Sequence, residues 1–220
     1  MCWNKEVSIN TFIFSFGILL LIIYNNLFTQ YKIHELNNIW MYVFLSSIIF
    51  VQLLEYFIWK NINNSFYNNL FTTLVILLTL LQPIFATILI TNKYLRDKIL
   101  FVYIIFLIPF TIYLFKTTKL TSVVSSMGHL QWGIPINKYV DYKFMTYFSS
   151  LFIIIWLFCL LFPVFYIKNY VLLLLGIFTL LVSVYYYYKD NSSRSLWCWL
   201  TNSVAVYYAV YLLFYLPFLK

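Results

Sequence analysis

FMTYFSSLFIIIWLFCLLFPVFYI, residues 144–167, carries no charge, and after Lys168 a second uncharged run follows, NYVLLLLGIFTLLVSVYYYY, residues 169–188. A helix rises about 1.5 Å per residue and the hydrocarbon core of a bilayer is about 30 Å thick, so roughly 20 residues make one crossing. One helix through both runs would overshoot a bilayer, so the pair predicts two spans joined by a tight hairpin at Lys168 and Asn169. The runs are too long and continuous for the alternating ten-residue segments of a membrane barrel, which leaves helices as the form that satisfies every backbone group in lipid.

Outward from this pair, residues 7–31, 36–54, 61–92, 99–115 and 195–219 are uncharged as well. The reading is an all-α polytopic membrane bundle forming a single transmembrane domain over residues 1–220. Seven helices are expected near 8–29, 38–59, 68–91, 99–115, 145–167, 169–188 and 195–218, with a long loop over 116–144. The fourth run is the shortest and contains Pro109, which removes a helix hydrogen bond; were it re-entrant, every later span would change direction. The first run has only Lys5 and Glu6 close ahead of it and no small-residue cleavage site behind it, so it is expected to remain as the first helix. No pair of runs shows the repeat of an inverted duplication.

Composition agrees. The chain is 64% hydrophobic, 23% aromatic and 9% charged, with a mean hydropathy of +0.87, far outside the soluble range. The net charge of +8 comes from cations scattered over all the loops, which fits lipid headgroups and argues against nucleic acid. The lipid bilayer is the implied partner; a small-molecule or ion ligand and the oligomeric state are left open.

Seven crossings put the N-terminus on one face with the loops at 60–67, 116–144 and 189–194. Lysines and arginines divide eight to six between this face and the other, or four to six once the long loop is set aside. The positive-inside rule then turns the N-terminus to the non-cytoplasmic side. Two sequons, Asn63-Asn64-Ser65 and Asn191-Ser192-Ser193, fall on that same face.

Polar chemistry gathers there too. Gln52, Glu55 and Trp59 share one side of the second helix at spacings of three and four, and Glu55 is the only acid inside a run. The long loop brings Gly128-His129-Leu130-Gln131-Trp132-Gly133, a turn-rich segment. Ser195, Cys198 and Asn202 repeat along one side of the seventh helix. An intramembrane carboxylate normally faces the bundle interior and finds a partner. Gln52, Glu55, His129, Ser195, Cys198 and Asn202 are therefore the candidate ligand or proton site, with Lys5 and Arg194 also within reach of Glu55. The competing reading is that Glu55 only ties its helix to a loop cation, and that the tryptophans and Tyr185 to Tyr188 are an interfacial aromatic belt. A Cys2–Cys198 disulfide is compatible with an oxidising face, whereas Cys159 reads as an apolar packer.

No cofactor or metal is implied: Cys2, Cys198, His129 and Glu55 are acceptable zinc ligands but lack any ligand spacing. Catalytic residues are likewise unmarked: a Cys198 nucleophile with His129 as base finds no further support, since the chain has only two histidines and the other, His34, falls on the opposite side. The seventh helix has no lysine before Lys220, which excludes a retinal Schiff base, and nucleotide loops, HExxH pairs, potassium filters and voltage-sensor arginines are missing.

Met1-Cys2-Trp3, Gln52-Leu53-Leu54-Glu55 with Trp59, Gly128-His129 and Ser195-Leu196-Trp197-Cys198 together resemble an uncharacterised family of small seven-helix membrane proteins found in bacteria, fungi and large DNA viruses. Asn4 stands where that family has Ser, and Val51 where members often have His. The resemblance implies the fold and one shared site at Cys2, Glu55, His129 and Cys198; it implies no activity. By function, a structural or interaction membrane protein ranks first, a small-solute or proton transporter or channel second, and an intramembrane lipid-modifying enzyme third, because no second acid or histidine joins Glu55 on its face.

Overall fold

The computed structural model describes residues 4–135 and 142–218. Its helices are α1 (Lys5–Phe28), α2 (Ile39–Lys60), α3 (Ser65–Ile88), α4 (Lys93–Thr117), α5 (Tyr142–Tyr166), α6 (Tyr170–Tyr187), α7 (Ser193–Leu200) and α8 (Ser203–Val210). α7, α8 and the short turns after them form one segment, Ser193–Phe218, so seven segments are long and apolar enough to cross a membrane. The lipid-facing surface agrees, with Phe101, Leu174 and Phe178 all about two-thirds exposed, an arrangement that only hydrocarbon tolerates at this scale.

Asparagines mark where these helices begin. The side chains of Asn4, Asn38, Asn64, Asn92 and Asn169 each accept a hydrogen bond from a backbone N–H in the first turn of α1, α2, α3, α4 and α6, a contribution of about 1 kcal/mol each. The caps also correct the expected boundaries. α3 starts at Ser65 rather than near 68, and α4 at Lys93 rather than 99. Lys93, Arg96 and Lys98 lie inside the first turns of α4, where long side chains carry their charge back to the interface. With 25 residues, α4 is long and apolar enough to cross in full.

α3 and α5 are joined through their prolines. Pro83 has no N–H for the carbonyl of Thr79, four residues back, and the indole Nε1 of Trp156 on α5 donates to that carbonyl at 3.0 Å. Pro163 leaves the carbonyl of Cys159 without its helical donor in the same way. The Thr87 hydroxyl on α3 lies 3.4 Å from it, sharing its hydrogen with the Pro83 carbonyl at 2.6 Å. Each helix thus repairs a gap in the other, which hydrocarbon could not do. Beside them Gln82, buried, donates to the Ser47 carbonyl at 3.3 Å. Trp156→Phe, which keeps the ring and removes the donor, is expected to destabilise the bundle by about 1–2 kcal/mol, measured by denaturant titration in mixed micelles. An unchanged midpoint would show that water or lipid supplies the missing donor.

Candidate functional site

Glu55 sits on α2 between Val51 and Ile58, all three fully buried. Its Oε1 accepts from the Ser195 hydroxyl of α7 at 2.5 Å and its Oε2 from Gln52 Nε2 at 3.1 Å. Cys198, one turn beyond Ser195, packs with Val51, Ile58 and Val75 in one apolar cluster. The carboxyl therefore bridges α2 and α7 beside an apolar cluster. Three polar atoms at this end are buried without a hydrogen-bond partner among the described residues: Gln52 Oε1 and the indole Nε1 atoms of Trp59 and Trp132, whose rings pack on the same cluster.

The cluster is closed by the loop between α4 and α5. It folds into two small antiparallel pairs, β1 (Thr118–Lys119) with β4 (Ile134–Pro135) and β2 (Val123–Val124) with β3 (Leu130–Gln131). Leu130, fully buried, is the loop residue that enters the Cys198 cluster. Gly133 makes the return possible: its φ is +73°, and a Cβ there would lie 2.7 Å from Thr118 Cγ2. We refer to residues 118–135 as the lid.

Two polar clamps dock the lid. Asn68 on α3 mimics a strand, accepting the Ser122 N–H at 2.8 Å and donating to the Ser122 carbonyl at 3.0 Å, while it also donates to the Ile62 carbonyl at 2.9 Å. Thr72 donates to Asn68 Oδ1 at 3.1 Å and lies 2.7 Å from the Ser122 hydroxyl. At the other end Asp190, in the turn between α6 and α7, accepts from Ser125, from Ser126 at 2.9 Å and from Ser192 at 2.9 Å.

Asp190 in the clamp and His129 in the lid are both shifted. Burial would raise the Asp190 pKa, but bonds from Ser125, Ser192, Ser126 and the Met127 N–H outweigh it and hold the carboxyl below its ordinary value. His129, buried and edge-on to the Tyr187 ring at 5.1 Å, is pushed down by burial, with Asp190 opposing. A group whose folded pKa is depressed contributes stability above its unfolded pKa and loses it as pH falls through the folded value. For His129 that loss begins below about 6.5, and for Asp190 below about 3.9. Acidification is therefore expected to loosen the lid in two steps, read as rising hydrogen exchange at residues 118–135. Asp190→Asn should remove the lower step only; two intact steps in that variant would disprove the Asp190 assignment.

The candidate residues divide. Gln52, Glu55 and Ser195 meet directly, and Cys198 adjoins them. His129 belongs to the lid beside Tyr187, and its backbone N–H donates to Ser125 Oγ at 3.2 Å. At Asn202 the seventh segment breaks, over Thr201 and Asn202, and Asn202 Nδ2 donates to the Cys198 carbonyl at 2.8 Å. Lys5 and Arg194 are exposed. Cys198 is a free, buried thiol, and its proposed partner Cys2 lies outside the described residues. Among the described residues no three of His, Cys, Asp and Glu converge as a metal site requires.

Fold and site together define a seven-helix multi-pass membrane protein with a buried carboxyl under a clamped lid. Comparison with family models, curated proteins and solved structures returned no match.

Proposed function

We propose that the chain binds and passes a proton, or a small polar solute that carries one, through Glu55. One observation carries this: Gln52 Oε1, on the carboxyl's own partner, and the Trp59 and Trp132 indole N–H groups, on the Cys198 cluster, are buried with no hydrogen-bond partner among the described residues. Each such group costs about 1–3 kcal/mol. A purely structural interlock, the role ranked first from sequence, accounts for the Ser195 and Gln52 bonds to Glu55 but gains nothing from the three orphans. A hydrated or polar ligand does satisfy them, since the set offers one acceptor and two donors next to a carboxyl. The lid is then the gate on the N-terminal face, and that face is the non-cytoplasmic one. Family membership is part of the same proposal, supported by Gln52, Glu55, His129, Ser195 and Cys198 sharing one end of the bundle.

Purified protein in proteoliposomes enclosing a pH-sensitive dye tests the reading. The unmodified chain is expected to dissipate an imposed pH gradient, and Glu55→Gln, which keeps the shape and an acceptor oxygen, to abolish that flux while remaining folded. Absence of flux in the unmodified chain, or equal flux in the variant, overturns it. Glycosylation at Asn63 or Asn191, both exposed, checks the orientation.

A further inference from the structure

A second polar station lies deeper, away from Glu55. The halves of α1, α2, α5 and α6 that approach the opposite face surround a cavity of about 70 Å³ with α7 and α8. Its wall is mostly hydrocarbon, from residues such as Ile22, Leu45 and Val164. Of the polar groups in it, Thr201 and Trp197 donate to the Cys198 and Gly176 carbonyls and Tyr208 accepts from Asn169. Ser15 and Asn202 are both more than nine-tenths buried, and Ser15 Oγ and Asn202 Oδ1 have no hydrogen-bond partner among the described residues. That is unusual within this chain. Thr79, Thr111 and Thr179 each return their hydroxyl to a carbonyl of their own helix at 2.7 or 2.8 Å, the ordinary solution for a hydroxyl in a membrane helix. Ser15 makes no such bond, and Asn202, with its Nδ2 committed to the Cys198 carbonyl, leaves only an acceptor.

The cavity adjoins a surface groove. A groove on the outer surface between α5 and α6, lined by Leu157, Phe158, Leu161, Phe162, Phe165 and Leu173, shares Leu161 and Leu173 with the cavity wall. A hydrocarbon chain in the bilayer can lie along this groove and turn inward at those two leucines.

We propose that this cavity binds the hydroxyl end of a long-chain alcohol that enters from the bilayer between α5 and α6. The hydroxyl donates to Asn202 Oδ1 and accepts from Ser15 Oγ, satisfying both orphans, while its first methylenes fill the apolar remainder. One water could bridge the two groups, but further waters in the space would meet hydrocarbon, whereas a buried water takes two to four polar partners. In hydrocarbon a hydroxyl has no other partner, so the paired site selects it over a plain alkane. The Glu55 site shares none of these lining residues, so the two proposals stand or fall separately.

The probe is a dodecanol bearing a diazirine, photolysed with the full chain in phosphatidylcholine nanodiscs and mapped by peptide mass. Labelling is expected on the peptides around Gly176 and Asn202. Dodecanol should compete about ten-fold better than dodecane, the ratio expected from one to two hydrogen bonds, and the double variant Ser15→Ala, Asn202→Leu should lose that preference. Gly176→Leu keeps both polar groups, and a Cβ there meets only Leu161 Cδ2 at 3.8 Å; its side chain should block the throat and remove the labelling from a folded protein. Equal competition by dodecane, labelling that survives Gly176→Leu, or no labelling in the cavity overturns the proposal, the last meaning that water alone fills it.

Discussion

Asn68→Leu is expected to release the lid and to destabilise the N-terminal face by about 3–5 kcal/mol, because it removes one partner from several buried polar groups at once. The Ser122 N–H and carbonyl and the Ile62 carbonyl all face the Asn68 amide, and the Thr72 and Ser122 hydroxyls keep only each other. Leucine fills the volume but offers no hydrogen bond. Leu130 would then leave the Cys198 cluster, so hydrogen exchange should rise together at residues 118–135 and at the start of α7, with little change in the half of the bundle around Asn26 and Tyr42. Thr72→Val, which removes one hydroxyl and keeps the amide pairing, should cost about 1 kcal/mol and leave the lid docked. Exchange confined to residues 118–135 in Asn68→Leu would show that the lid rests on the site without holding it closed.

The crossings were legible in the sequence because lipid demands long uncharged runs, and the pairing of Glu55 with Ser195 because a lone intramembrane acid must find a partner. What escaped reading had identifiable causes. Asn68 looked like one asparagine in an Asn-rich run, and its partner Ser122 lies 54 residues away in a loop with no periodic pattern. The Asp190 clamp has the same character, a single acid meeting serines 64 and 65 residues earlier. The start of α4 is hidden because charge cuts the uncharged run at 99, although Lys93, Arg96 and Lys98 stand within the helix, where long side chains can reach the interface. The break at Thr201 and Asn202 contains neither proline nor glycine, so the stripe Ser195, Cys198, Asn202 read as one continuous face. In the fold it serves two different places, the Glu55 site and the inner cavity.

The prolines show how far such local reading extends. Pro83 and Pro163 announce a missing hydrogen bond in any helix, but only the packed pair α3 and α5 reveals that Trp156 and Thr87 answer those gaps. A polar contact of this kind fixes the register of two helices whose apolar faces would otherwise slide, since lipid offers no hydrophobic drive to hold them. α2, seated between α1 and α3, carries Glu55 into that fixed frame.

Glu55→Leu is expected to cost about 2–4 kcal/mol, against about 1 kcal/mol or less for Glu55→Gln. The difference follows from donors and not from charge. Ser195 Oγ and Gln52 Nε2 both aim hydrogens at the carboxyl; leucine takes away the acceptor of both bonds, whereas glutamine retains one oxygen for them. Pairing each change with Ser195→Ala in a double-mutant cycle isolates the bridge between α2 and α7. The Glu55→Leu and Ser195→Ala losses should fall short of adding by about 1–2 kcal/mol, because once one end of the bond is gone the other has less to lose. The measurement is the unfolding midpoint of each variant in mixed micelles at one pH. Strict additivity would mean that the 2.5 Å contact contributes nothing to holding the two helices together, and the site would then need another explanation for burying an acid.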